Sequence, residues 1–143
     1  MNTRQYFWVF QILVGLFLLR VLAQLAQLFL NVNWLPSFET WQSGALPYKF
    51  LLVFQIVILV ILFRIIAQFW NKSPLPNRSK GKLFLTLGGV YFLAMIIRVV
   101  LGLTVAKNHF WFDAPLPSFF HLIHASIVLI LGYYHYKNSR LRI

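Results

Sequence analysis

The chain contains no cysteine. That removes disulfides, thiolate metal sites, iron–sulfur clusters and thiol redox chemistry in one step. Acidic residues are almost as scarce. Glu39 and Asp113 stand alone against 13 lysines and arginines, giving a formal net charge of +11. Charged residues make up only 10% of the sequence, far below a soluble composition. The positive excess does not indicate nucleic-acid binding. The basic residues form no exposed stripe beside aromatics that could stack on bases, and the aromatics lie within and at the ends of apolar runs.

What is present is apolar length. The chain has 143 residues, enough for one domain over 1–143, and 60% of them are hydrophobic. Mean hydropathy is +0.75. Four apolar runs of about 20 residues each match a hydrocarbon core of about 30 Å. Their uninterrupted character is that of helices and not of an alternating outer-membrane barrel. The expected fold is therefore an all-α integral membrane protein with four transmembrane helices, at residues 5–30, 50–70, 83–106 and 118–136. Residues 1–30 read as a mature helix and not a secretory signal, because the apolar run is too long, contains Arg20 and lacks a small-x-small cleavage site.

The connections carry the topology signal. Arg4, Lys72, Arg78, Lys80, Lys82, Lys137, Arg140 and Arg142 fall on one side of a four-span protein, and only Lys49 and Lys107 on the other. The positive-inside bias puts both termini and the 71–82 connection in the cytoplasm, which implies a multi-pass protein of the cell (inner) membrane. In the first outer connection Trp34, Trp41 and Tyr48 are expected interface anchors. Residues 37–43 could form a short helix on the membrane surface, with Ser37 as its N-cap. The tail KNSRLRI is expected to be frayed.

A weak internal repeat runs through the chain. GLFLLRVLAQL and LAMIIRVVLGL align on Arg20 and Arg98, and each is followed by Leu-Pro-Ser-Phe, at Leu35–Phe38 and Leu116–Phe119. The pattern suits two tandem helical hairpins related by a pseudo-two-fold along the membrane normal. Chance matching in low-complexity apolar sequence is the competing account.

The polar residues inside the runs are the candidates for function. On the fourth run His121, His124 and His135 fall within about 60° of one another, and Ala125, Val128 and Gly132 share that face. Such a face packs on protein more readily than on lipid. Arg20 and Arg98 lie about 20 Å along their helices, in the outer third of the core, with His124 at a similar depth and His121 above it. Arg20, Gln24 and Gln27 share one face at i, i+4, i+7, and Gln55 lies at comparable depth on the second run. Converging, these groups would form an outward-facing cationic pocket under a lid bearing Glu39 and Asp113. The alternatives are arginines that snorkel to headgroups or pair with the two acids. Arg64, close to the cytoplasmic end, fits snorkelling best.

His121 and His124 at i, i+3 could chelate a metal with His109 as a third ligand, although the acids that would complete the set are confined to loops. The fourteen-residue separation of His121 and His135 is similar to that of paired haem ligands on one helix, but bis-histidine haem would require a homodimer through helix 4. Ser118 near His121 or His124 lacks the Gly-rich elbow and carboxylate of a hydrolase. Residues Phe17–Arg20, FLLR, resemble the first helix of small four-span membrane proteins of the DoxX type, a likeness confined to one helix that implies no activity. The expected function is a small membrane binding or accessory protein whose pocket holds an anionic or carbonyl-bearing lipophilic ligand: a lipid headgroup, a quinone or haem. The alternatives are a structural subunit of a larger membrane complex and a dimeric anion pathway.

Overall fold

A computed structural model describes residues 2–71 and 74–139. It contains helices α1 (Thr3–Leu30), α2 (Tyr48–Asn71), α3 (Arg78–Leu103) and α4 (Pro115–Asn138), with a short 3-10 turn at Phe38–Trp41 between α1 and α2. All four helices are long and apolar enough to span a membrane. At about 1.5 Å per residue each is somewhat longer than a 30 Å hydrocarbon core, so their ends reach beyond it or the helices tilt.

The starts of α1 and α3 lie earlier than hydropathy indicates because polar caps set them. Asn2 forms a capping box with Gln5: its Oδ1 accepts from Gln5 N at 2.9 Å, and Gln5 Oε1 accepts from Asn2 N at 2.8 Å. Asn77 Oδ1 accepts from Lys80 N at 3.0 Å, so α3 begins at Arg78 and not near Leu83. Arg78, Lys80 and Lys82 therefore belong to a helical turn and not to a loop. At its other end α3 stops at Leu103, short of Ala106, because the Leu101 carbonyl accepts from Thr104, Val105 and Ala106 in turn. Prolines in the first turn of α4 suit positions that need no intrahelical N–H bond. Lys72, Arg140 and Arg142 lie outside the described residues.

The spatial order of the helices is α3–α4–α1–α2. The centre is built on a stripe of α1, Tyr6, Phe10, Val14, Phe17 and Val21, which meets Ile123 and Ile127 of α4 and Leu59 and Leu62 of α2. By contrast the backbones of α2 and α3 make few close approaches to one another.

The closest seam joins α3 to α4. Gly81, Gly88 and Gly102 fall on one seven-residue register of α3, with Met95 at the position between the last two, and Ser118, Ala125 and Gly132 fall on one of α4. A seven-residue repeat keeps a seam facing one neighbour along antiparallel helices. A Cβ on Gly132 would lie 2.7 Å from Leu85 N, and one on Gly88 would lie 3.0 Å from Leu129 N. At Gly102 it would run into the Phe112 carbonyl. Small residues thus bring the two backbones together. The Ala125–Gly132 face, expected to pack on protein, is covered by α3 of the same chain.

The two hairpins are unequal. Their arginines are used alike, but the α3–α4 seam has no counterpart between α1 and α2. The Leu-Pro-Ser-Phe segments also differ. Leu35–Phe38 leads into the 3-10 turn, whereas Leu116–Phe119 lies within α4, where Ser118 Oγ donates to Ala114 O at 2.8 Å. The expected surface helix at 37–43 is shorter and turned inward: Trp41 is buried, and its indole donates to Pro36 O at 3.1 Å. Trp34 remains exposed.

Candidate functional site

The end of the bundle that carries the α1–α2 and α3–α4 connections holds both central arginines. Arg20 is 6% exposed and Arg98 3% exposed. Arg20 Nη2 donates to the Trp41 carbonyl at 2.6 Å. Arg98 donates to the Trp111 carbonyl through Nε at 3.1 Å and Nη2 at 2.6 Å, and its guanidinium lies 4.2 Å from the indole centroid of the same residue. Arg20 lies 5.4 Å from the Phe120 ring centroid. Loop carbonyls have no ladder partner, and a guanidinium fork fits them well. The arginines therefore spend these donors on backbone and not on Glu39 or Asp113. The two acids line a separate cleft of about 340 Å³ between the connections.

Two adjoining cavities lie beneath this roof. The upper one, about 280 Å³, is lined by both arginines, Trp111, Tyr91, His121 and the connection over residues 42–46. The lower one, about 320 Å³, is lined by Phe17, Phe54, Gln55, Phe120, His124 and Ile127, together with a wall shared between the two. Arg20, Tyr91, His121, Leu51 and Pro117 form that shared wall. The expected convergence of Arg20, Arg98 and His124 thus resolves into two compartments, with Arg20 and His121 common to both. Phe54, more than half exposed, stands on the α2 side of the space that separates α2 from α3.

The partners of the histidines distinguish them. His121 Nδ1 lies 2.6 Å from Tyr91 Oη. The His124 ring meets Phe17 edge-on at 4.2 Å, and its Nε2 is buried with no hydrogen-bond partner. Their ring centroids are 6.5 Å apart. His109 does not join them. It accepts from Trp111 N at 3.3 Å and stacks on Phe110 in the α3–α4 connection. Among the described residues no three His, Cys, Asp or Glu side chains form a metal-binding group. His135, expected as an interface anchor or haem ligand, is buried at the opposite end of α4, where its Nδ1 accepts from Asn77 N at 3.3 Å. Ser118 is committed to Ala114 and offers no nucleophile to a histidine.

Several buried polar atoms in this half of the bundle lack partners: Arg20 Nε, both amide atoms of Gln24 and of Gln55, Tyr48 Oη and His124 Nε2. Native proteins leave few such groups, and each calls for a water, an ion or a ligand. Gln55 is 3% exposed and lines the lower cavity. Gln24 is fully buried and Gln27 half-buried, but neither lines either of these two cavities, where their shared face with Arg20 would have put them.

Sequence reasoning left out Tyr91 and Trp111, and gave Trp41 only as an interface anchor. Tyr91 had a usable signal, because it lies seven residues before Arg98 on the same helix face. The two tryptophans act through their carbonyls, which side-chain chemistry does not reveal. Arg64 is exposed near the end of α2 and takes no part. No protein-family model, curated protein or solved structure matches the chain.

Proposed function

We propose that the protein is an integral inner-membrane binding or accessory protein whose two-part pocket receives an anionic or carbonyl-bearing lipophilic ligand. In this reading both termini and the α2–α3 connection are cytoplasmic, following Arg4, Arg78, Lys80, Lys82 and Lys137, and the pocket opens toward the outer face. The observation that carries the reading is the pocket wall itself. Arg20, Tyr91 and His121 stand between two cavities, and Arg20 Nε, Gln55 and His124 Nε2 present unused hydrogen-bonding capacity beside apolar surface. Concave, mostly apolar sites with a few convergent polar groups are what small lipophilic ligands occupy. Quinones, lipid headgroups and haem propionates all fit the donor set.

The experiment is purification in mild detergent, followed by an absorption spectrum and mass spectrometry of the extracted lipophiles. A stoichiometric quinone, porphyrin or lipid supports the reading, and a protein free of any stoichiometric lipophile contradicts it. One observation favours a second reading, that of a structural subunit: both arginines already hold loop carbonyls and would pin the connections with no ligand present. Under that reading uncharged replacements destabilise the fold and change nothing that is bound.

A further inference from the structure

Resting on the reading above, we infer that the ligand is an acidic lipid with three recognised parts: an oxyanion head between Arg20 and Arg98, an oxygen function about one helical turn deeper beside Gln55 and His124, and a single apolar chain leaving between α2 and α3. Each part answers a feature of the two cavities.

The upper cavity holds two guanidiniums and no carboxylate among its lining residues. Both arginines are more than nine-tenths buried, and their protein contacts there are neutral carbonyls and aromatic rings. Carbonyls satisfy donors without offsetting charge, and two like charges removed from water call for a counter-charge. A quinone or ester carbonyl cannot supply it, whereas a phosphate or carboxylate can. Guanidiniums recognise such oxyanions through the same fork that holds the tryptophan carbonyls.

The lower cavity is walled mainly by Phe17, Phe54, Ile58, Leu62 and Ile127, which suits a hydrocarbon chain. The unpartnered amide of Gln55 and the unpartnered Nε2 of His124 do not suit a chain alone. An amide offers a donor and an acceptor, and with the His124 ring already bonded to the Phe120 backbone its Nε2 is left to accept, so a hydroxyl at this level would engage both. His124 follows His121 by three residues, which sets the separation of the two polar levels at about one turn of α4. Phe54, more than half exposed in the wall of this cavity, and the scarcity of close backbone approaches between α2 and α3 mark where a chain would leave toward the bilayer.

Binding of four probes to the detergent-purified full chain separates the parts. Oleoyl lysophosphatidic acid carries head, deeper oxygen and chain. Oleyl phosphate lacks the deeper oxygen, monooleoylglycerol lacks the charge, and inorganic phosphate lacks the chain. The expected order is lysophosphatidic acid tightest, with oleyl phosphate and monooleoylglycerol each weaker by roughly tenfold or more, and no measurable binding of inorganic phosphate. In Gln55→Leu the preference of lysophosphatidic acid over oleyl phosphate should disappear while both still bind. Arg20→Gln should bring lysophosphatidic acid down to the level of monooleoylglycerol. Equal binding of lysophosphatidic acid and monooleoylglycerol by the wild type would overturn the acidic-head inference while leaving a lipophile pocket in place. Equal binding of lysophosphatidic acid and oleyl phosphate would overturn the deeper oxygen site. Failure of all three lipids to bind would overturn the pocket reading as well.

Discussion

Arg98 grips Trp111 twice, taking its carbonyl with two guanidinium nitrogens while lying over its indole ring. Arg20 makes the single-bond version of this contact with Trp41. Each arginine thereby ties a connection down over the end of its own helix hairpin, and the two connections form the roof of the upper cavity. The same residues that would bind a ligand also hold the wall in shape.

Arg98→Gln should therefore loosen the α3–α4 connection. Loss of hydrogen bonds from a charged donor costs about 1.5–3 kcal/mol, and loss of a desolvated cation–π contact about 2 kcal/mol. Arg98→Lys should recover only part of this, because an ammonium lacks the planar fork. Thermal unfolding in detergent, combined with protease cleavage within residues 104–114, reads both effects. Unchanged stability in Arg98→Gln would show that the pin carries no weight.

Neutralising the acids should do little. Glu39 and Asp113 line a cleft of their own and are not the groups the arginines bond. Glu39→Gln and Asp113→Asn are each expected to shift stability by about 0.5 kcal/mol or less. A large loss that a paired arginine substitution restores would instead establish an ion pair.

The glycine seam gives a matched comparison. Gly132→Ala places a methyl 2.7 Å from Leu85 N and should destabilise the hairpin by about 1–3 kcal/mol through overpacking. Gly89→Ala meets nothing within 4 Å and should be neutral or stabilising by up to about 1 kcal/mol from helix propensity. Comparable melting temperatures for the two variants would mean that α3 and α4 are not in close contact.

Much of the scaffold was legible in the sequence. Four apolar runs specify four helices because backbone groups in hydrocarbon must pair within their own segment. The helix starts were not legible from hydropathy, because Asn2 and Asn77 cap from polar flanks where it has no signal. The order α3–α4–α1–α2 was hidden for a different reason: helices apolar on all sides do not announce which face meets a neighbour. The small-residue face of α4 was readable, whereas burial of Arg20 and Arg98 was one of two readings, since an arginine at that depth can also snorkel to the headgroups. Gly81, Gly88 and Gly102, seven and fourteen residues apart, carried the matching register on α3, but a run judged by hydropathy passes over glycine. The arginine–carbonyl contacts depend on loop conformation, which no periodicity encodes.

The proposed topology rests on the basic flanks. Reporter fusions after Asn77 and after Asn138 should register the cytoplasm, and a fusion after Gln42 the opposite face. Opposite signals at Asn77 and Asn138 would require an odd number of crossings between them and would break the four-span arrangement.

The central claim is that the unpartnered polar atoms around the lower cavity are maintained for a ligand, and Gln55→Leu tests it most directly through the sign of its effect on stability. Replacing a buried, unsatisfied amide by an apolar group of similar size removes a desolvation cost of about 1–3 kcal/mol from the empty protein. The account predicts that delipidated Gln55→Leu melts higher than delipidated wild type, and that added lysophosphatidic acid raises the wild-type midpoint by more than that of the variant. A delipidated variant that melts lower than wild type, with an unchanged response to the lipid, would show that Gln55 serves the fold and would contradict the account.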